Sequence, residues 1–200
     1  GLGEAEFDAL VERIHAKAGE VPHVTGRLAA AAREARLPML SHDDMSPEQR
    51  DVFRSLGVAI AEFPINEPTA RAAIAAGDVT VFGAPNVVRG GSHTGCPSAS
   101  EMAGQGLCSI LASDYFYPAI LAAPFMLAER AGLSLEQAWP LVSANPAAAL
   151  GLADRGRIAG DARADLILVD ASDQRMPRVV ATIAAGRIIH MAGAERLAAA

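Results

Sequence analysis

Four places in the chain gather residue types that could do chemistry. Ser41-His42-Asp43-Asp44 sets an imidazole directly before two carboxylates. Glu62 stands inside the apolar run VAIAEFPI, Val58 to Ile65. The run VFGAPNVVRGGSHTG, Val81 to Gly95, starts apolar and then collects Asn86, Arg89, Gly90, Gly91, Ser92, His93 and Thr94. Asp114 closes a second apolar run, CSILASD, Cys108 to Asp114. A neutral imidazole is a ligand for zinc, manganese or iron, and a neighbouring carboxylate can orient its ring. Asp43 and Asp44 follow His42 directly, and one of them could orient its ring; the alternatives are a hydrogen-bonded histidine at a strand end and, for Asp44 in equal measure, an Asx turn before the Ser46 cap. A glutamate in an apolar strand is costly unless it ligates, pairs with an arginine or binds a substrate hydroxyl. Around Arg89 the chemistry is that of an anion site. Gly90-Gly91 lets backbone N–H groups approach an oxyanion, Ser92 and Thr94 can donate, and a guanidinium offers a planar fork to two phosphate oxygens. His93 could bind substrate, move a proton or reach a metal. The plainer alternative for this run is a flexible connection.

These residues need elements to position them, and the chain repeats one theme. LPMLSH, Leu37 to His42, reads as a buried strand. Ser46-Pro47-Glu48-Gln49 is a capping box with proline at the first helical position, and that helix should end at Gly57. VAIAEFPI is the next strand, and Pro68-Thr69 opens a helix running to Gly77. VTVFGAPN, Val79 to Asn86, is a third strand. Ser98-Ala99-Ser100-Glu101 is a second capping box, opening a short helix towards Gly106. CSILASD is a fourth strand. A long helix follows from Pro118, Ser134 caps another, and Asn145-Pro146 opens the last. The strands are continuous apolar runs, which means burial on both faces, as in a parallel sheet covered by helices. The α/β alternation gives a barrel or an open doubly wound sheet. In both, the active site lies at the carboxyl ends of the strands, where His42, Glu62, the Asn86–His93 run and Asp114 fall.

The flanks differ. Residues 1–36 carry two helical patterns, Glu4–Ala18 and Pro22–Arg36, as a helical lead-in. Residues 37–150 hold the four strands and their helices. In 151–200 the last helix ends, and ADLILVD, Ala164 to Asp170, and VVATIAAGRIIH, Val179 to His190, read as strands with a turn at Ala185-Gly186, before a frayed tail.

The 200 residues are 51% hydrophobic, enough for one sizeable core. A net charge of −6 leaves no basic field for nucleic acid or a membrane surface. Two cysteines, Cys96 and Cys108, form neither a zinc knot nor a disulfide scaffold, and a reduced cytoplasmic setting is expected. Cys96 is assigned no role. GLGEAEFDAL is acidic and amphipathic, unlike a signal peptide, and no apolar run reaches a membrane span of ~20 residues.

SHDD, GAPNVVRGGSH, ASDYFYPAIL, ANPAAALGL and RGRIAGDARADLILVD together resemble the amidohydrolase superfamily. GAPNVVRGGSH and ASDYFYPA are similar to its diphosphatases of phosphonate catabolism, in the carbon–phosphorus lyase pathway. The resemblance implies strands five to eight of a (β/α)8 barrel followed by strands of a small β-sandwich. It implies that His42, Asp114 and Glu62 hold a divalent metal, zinc or else manganese or iron, although many members have histidine where Glu62 stands. Asp114 would also take a proton from the attacking water. Asn86, Arg89, Gly90, Gly91, Ser92 and His93 would bind the phosphates of a ribose 1-phosphonate 5-triphosphate, hydrolysed to the 5-phosphate and diphosphate. The superfamily's first four strands and its His-x-His pair have no counterpart, since no H-x-H occurs here. The chain is therefore expected to associate with itself or with a missing N-terminal half. Two other readings stand beside the diphosphatase: an amide- or imide-cleaving enzyme like a D-aminoacylase, and a catalytically incomplete half that only assembles.

Overall fold

In a computed structural model, which describes residues 3–91 and 97–192, the α/β theme appears as two sheets. Four parallel strands, β1 (Leu40–His42), β2 (Ile60–Glu62), β3 (Val79–Gly83) and β4 (Ile110–Ala112), lie side by side in chain order. Three antiparallel strands, β5 (Leu166–Asp170), β6 (Arg178–Ala184) and β7 (Arg187–Met191), form the second sheet. The β6–β7 turn is Ala185-Gly186, both at positive φ (48° and 77°). That left-handed pair is the hairpin turn whose twist matches the strands.

Helices α1 (Glu4–His15) and α2 (Val21–Glu34) lead in; α3 (Pro47–Ser55) joins β1 to β2 and α4 (Glu67–Ala75) joins β2 to β3. After β3 come α5 (Ala84–Arg89) and α6 (Ala99–Gly104), and after β4 come α7 (Ala119–Arg130), α8 (Leu135–Ala138) and α9 (Ala144–Ala149). Ser46 caps α3, its hydroxyl accepting from Gln49 N–H at 3.3 Å, while Gln49 Oε1 accepts from Met45 N–H at 2.7 Å. The helix ends as expected, with Gly57 at φ 89°. Ser134 and Gln137 complete the reciprocal box of α8.

Three local expectations are corrected. The third strand stops at Gly83 rather than Asn86, and Ala84–Arg89 turns into a helix. Pro85 is the reason: proline cannot donate to a central ladder but is at ease in the first helical turn. Ser98 makes no side-chain cap for α6; Asn86 Oδ1 accepts from Ala99 N–H at 2.9 Å instead. The cap of α4 is Asn66, whose Oδ1 accepts from Thr69 N–H at 2.9 Å.

The two faces of the parallel sheet have different fates. On one, Phe82 and Leu111 pack under α5, α6 and α7 in the main core with Val87, Met102, Ala123 and Leu127. On the other, Ile60, Val81 and Ile110 form a small cluster with Val79, Ala112 and Ala149. The parallel register sets Leu40, Ile60 and Val79 in one row, and His42, Glu62 and Val81 in the next. Leu40, at the β1 edge, is 54% exposed. Among the described residues, no helix is long and apolar enough to cross a membrane.

Candidate active site

The carboxyl ends of the strands carry an unusual backbone feature. Asp43 follows β1 at φ 58°, Phe63 follows β2 at φ 51°, and Asp114 lies two residues past β4 at φ 50°. Non-glycine residues avoid this left-handed region, and such conformations concentrate at functional sites when the surroundings hold them in place. Three of the five described non-glycine residues with positive φ therefore sit at one rim of the sheet.

His42 ends β1 in direct register with Glu62, which ends β2. On adjacent parallel strands, residues in register point to the same face, so imidazole and carboxylate share the inner side. Asp43 Oδ2 stands 3.0 Å from His42 Nδ1, with both side chains more than half exposed. That contact engages Nδ1 and leaves Nε2 as the nitrogen available to a ligand. The Phe63 ring meets the His42 ring edge-on, centroids 5.3 Å apart. A Cβ added at Gly83 would come within 3.4 Å of the same Phe63 ring, so glycine at the end of β3 keeps that space open. The Glu62 and Asp114 carboxylates have no hydrogen-bond or ion-pair partner among the described residues. Among the described residues, Glu62 is thus not paired with an arginine. Nor does Asp114 cap α7, where Pro118 is the cap residue.

Arg89 is not on a loop as expected. It is the last residue of α5 and is exposed. Its guanidinium donates to the Tyr115 hydroxyl, and its Cζ lies 5.9 Å from the Tyr115 ring centroid. The end of α5 and the rim after β4 are thereby joined, with Arg89 brought to the residue following Asp114. Gly90, at φ 84°, terminates α5 in the left-handed conformation that glycine adopts freely. Arg130 donates to the Val87 and Val88 carbonyls at 3.1 and 3.2 Å, satisfying the helix end. Asn86 spends its carbonyl on α6. Gly91 lies at the end of the described segment, and Ser92, His93, Thr94 and Cys96 lie outside the described residues.

Asp44 has a different surrounding from Asp43. It is fully buried and accepts from Ser41 Oγ at 2.7 Å and Arg50 Nη1 at 2.9 Å, rather than forming an Asx turn ahead of Ser46. Tyr115, Arg50 and Phe63 escaped the sequence reading. A tyrosine directly after a rim aspartate was visible, but its arginine partner lies 26 residues away.

Among the described residues, no three His, Cys, Asp or Glu side chains converge on one point that could hold a metal ion. His42 Nε2 and Glu62 offer adjacent donors, which is short of the three protein ligands that a catalytic zinc normally takes. The described residues do not by themselves complete a metal centre.

Residues 2–190 match the Amidohydrolase family, and the chain belongs to it. It is 42% identical over 151 residues, 74% of its length, to the alpha-D-ribose 1-methylphosphonate 5-triphosphate diphosphatase of Escherichia coli strain K12. An amidohydrolase crystal structure superposes with TM-score 0.62 at 19% identity over 84% of this chain, and an enamidase of the amidohydrolase superfamily with TM-score 0.61 at 13% identity over 85%. The chain spans 40% of the Escherichia coli protein, 48% of the first structure and 52% of the second. The implied α/β fold, with a parallel sheet and a separate antiparallel sheet, is thus the one observed.

Proposed function

We propose that this chain carries the rim of a phosphoanhydride hydrolase that cleaves a ribose 1-phosphonate 5-triphosphate into the 5-phosphate and diphosphate. The observation that carries this reading is the Arg89–Tyr115 link, which holds a guanidinium against the residue that follows Asp114. A cation one residue from a free carboxylate places charge stabilisation next to a base, the pairing that phosphoryl transfer needs. The 42% identity to a diphosphatase supports the same chemistry.

In this reading a water oxygen forms a bond to one phosphorus of the triphosphate. Asp114 takes the water's proton, the phosphoanhydride P–O bond breaks, and diphosphate leaves with that electron pair. Arg89 and the Tyr115 hydroxyl hold the negative oxygens. His42 Nε2 and Glu62 would contribute to a divalent metal site completed by residues beyond those described. Such a metal, when bound, acidifies water and polarises the phosphoryl group.

A second reading is favoured by the incomplete donor set and the exposed Leu40 edge: the chain acts only when a complementary barrel half covers β1 and β4. Both readings meet one experiment. The purified protein is given the ribose triphosphate or an N-acyl-D-amino acid, alone and with zinc or manganese, while diphosphate and free amine are measured. Diphosphate release without amide cleavage supports the first reading. Amide cleavage overturns it. Inactivity that is relieved by adding the complementary half favours the second.

A further inference from the structure

We infer that Asp44 and Arg50 are positioning residues: they lock the turn after β1 so that the Asp43 carboxylate holds His42 through Nδ1 and leaves Nε2 free. The inference rests on the proposed reading of His42 as a site residue.

The His42–Asp43 pair is exposed, and exposed ion pairs contribute little by themselves in water. Its geometry therefore depends on the backbone beneath it. That backbone is in an unfavourable conformation, since Asp43 has φ 58°. Left alone, the turn would relax and the carboxylate would swing away from the ring.

Four bonds prevent this. Asp43 N–H donates to the Glu62 carbonyl at 2.9 Å, and Ile65 N–H donates to the Asp44 carbonyl at 3.1 Å. The Asp44 carboxylate then takes the Ser41 hydroxyl at 2.7 Å and Arg50 Nη1 at 2.9 Å. Ser41 lies immediately before His42 and Asp44 immediately after Asp43, so one buried carboxylate clamps both sides of the His42–Asp43 pair. Arg50 holds the clamp. Its Nη1 also donates to Ser41 Oγ at 2.6 Å, its Nη2 donates to the Val58 carbonyl, and its Nε stands 3.0 Å from Asp78 Oδ2. Both Arg50 and Asp44 are fully buried. A charge pair at that depth is strongly disrupted when one partner is removed, and often replaceable by apolar groups without loss of stability. Its siting here, directly under a strained rim residue that orients a histidine, gives it a role that bulk stability does not require.

The readout is the His42 tautomer. Two-bond proton–nitrogen correlation spectra of the 15N-labelled full chain, taken above the imidazole titration range, separate Nδ1–H from Nε2–H rings; the His42→Gln spectrum identifies the signal. His42 in the parent should be Nδ1–H, because Asp43 Oδ2 stands 3.0 Å from Nδ1 and a carboxylate there favours the proton on that nitrogen. Asp43→Ala should lose that form as the dominant one. Asp44→Asn, which keeps shape and removes the charge that Arg50 holds, should do the same in a protein that remains folded. Should Asp44→Asn fail to fold, Ser41→Ala provides the milder break of the same clamp and should shift the ratio in the same direction. A folded Asp44→Asn protein with a lower melting temperature and an unchanged tautomer overturns the inference, as does a parent whose His42 is Nε2–H. Failure to release diphosphate would count against the hydrolase reading and leave the tautomer result standing.

Discussion

Arg89 and Tyr115 are joined twice, by a hydrogen bond from the guanidinium to the phenol oxygen and by the approach of the cation to the ring face, 5.9 Å from its centroid. The link crosses from the end of α5 to the rim after β4. A phenol that accepts from a guanidinium keeps its own proton free to donate, and donors in such a chain polarise one another. Under the proposed function, the pair would present several N–H donors and one O–H donor to a single anion.

Arg89→Ala removes the charge and releases Tyr115. Charge-assisted hydrogen bonds are worth roughly 1.5–3 kcal/mol, about tenfold to hundredfold in binding. Inhibition by inorganic diphosphate, measured at fixed salt and buffered free metal, should weaken by that factor, with the melting temperature almost unchanged because Arg89 is exposed. Tyr115→Phe keeps the ring and removes one donor, so its loss should be smaller. Equal inhibition of the parent and both variants would remove the physical support for an anion site at this rim.

Asp114→Asn tests the base. The side chain is exposed and makes no bond within the described residues, so the fold should tolerate the change. A positioned general base typically contributes ~10²–10⁴-fold, and kcat for diphosphate release should fall by about that much. A variant that turns over at the parent rate would show that Asp114 only shapes the turn in which it sits at φ 50°.

The strands and most helix starts were legible because short-range chemistry decides them. Ser46 and Ser134 each stand before a helix whose third residue is a glutamine, and both accept that residue's N–H; the reciprocal box forms at Ser134 but not at Ser46, where Gln49 Oε1 accepts from Met45 N–H instead. The end of β3 was not legible from apolarity, since Ala84 and Pro85 continue the run; Pro85 was the residue that could have marked the break. His42 and Glu62 were legible as strand-end residues, and their shared register follows from parallel pairing. Arg50 was not. In PEQRDVFRS it reads as one charge among several on a surface helix, and only the fold, which brings Ser41, Asp44, the Val58 carbonyl and Asp78 around it, buries it completely. Tyr115 escaped for a related reason, because its partner is brought near by the fold and not by sequence.

Cys108 provides a pH-dependent prediction. Burial pushes its thiol up from an ordinary value of 9.0 to about 12, partly offset by its contact with the Ile110 carbonyl at 3.3 Å. Between those values the unfolded chain loses the thiol proton while the folded chain keeps it. The native form then binds more protons, so this contribution to stability is whole below pH 9.0 and falls as pH rises towards 12. In a Cys96→Ser background, Cys108 should resist a thiol reagent at pH 8 until denaturant is added, and Cys108→Ala should flatten the alkaline decline in denaturation midpoint. Rapid labelling of the native protein would contradict its burial.

Gly156 tests how the segment after α9 is held. It has φ 87°, where a side chain is strained, and a Cβ there would meet Ala147 Cβ at 2.7 Å, the Ser143 carbonyl oxygen at 2.9 Å and Ala144 Cα at 3.1 Å. Two of these atoms are backbone and the third is a Cβ on a helix, so none can swing aside as a flexible side chain would. Gly156 also lines the 930 Å³ apolar groove between Phe125 and Trp139 on one side and Val179 and Ile183 on the other. Gly156→Ala combines left-handed strain with a forced separation from α9, together costing roughly 2–4 kcal/mol. The shift should appear as a lower denaturation midpoint, and as faster hydrogen exchange in β5 and β6, which follow Gly156 and line the same groove. Gly160, with no atom within 4 Å of an added Cβ and no positive φ, is the control: Gly160→Ala should leave the midpoint where it is. Equal effects at the two positions would mean that backbone freedom, rather than close approach to α9, decides the cost.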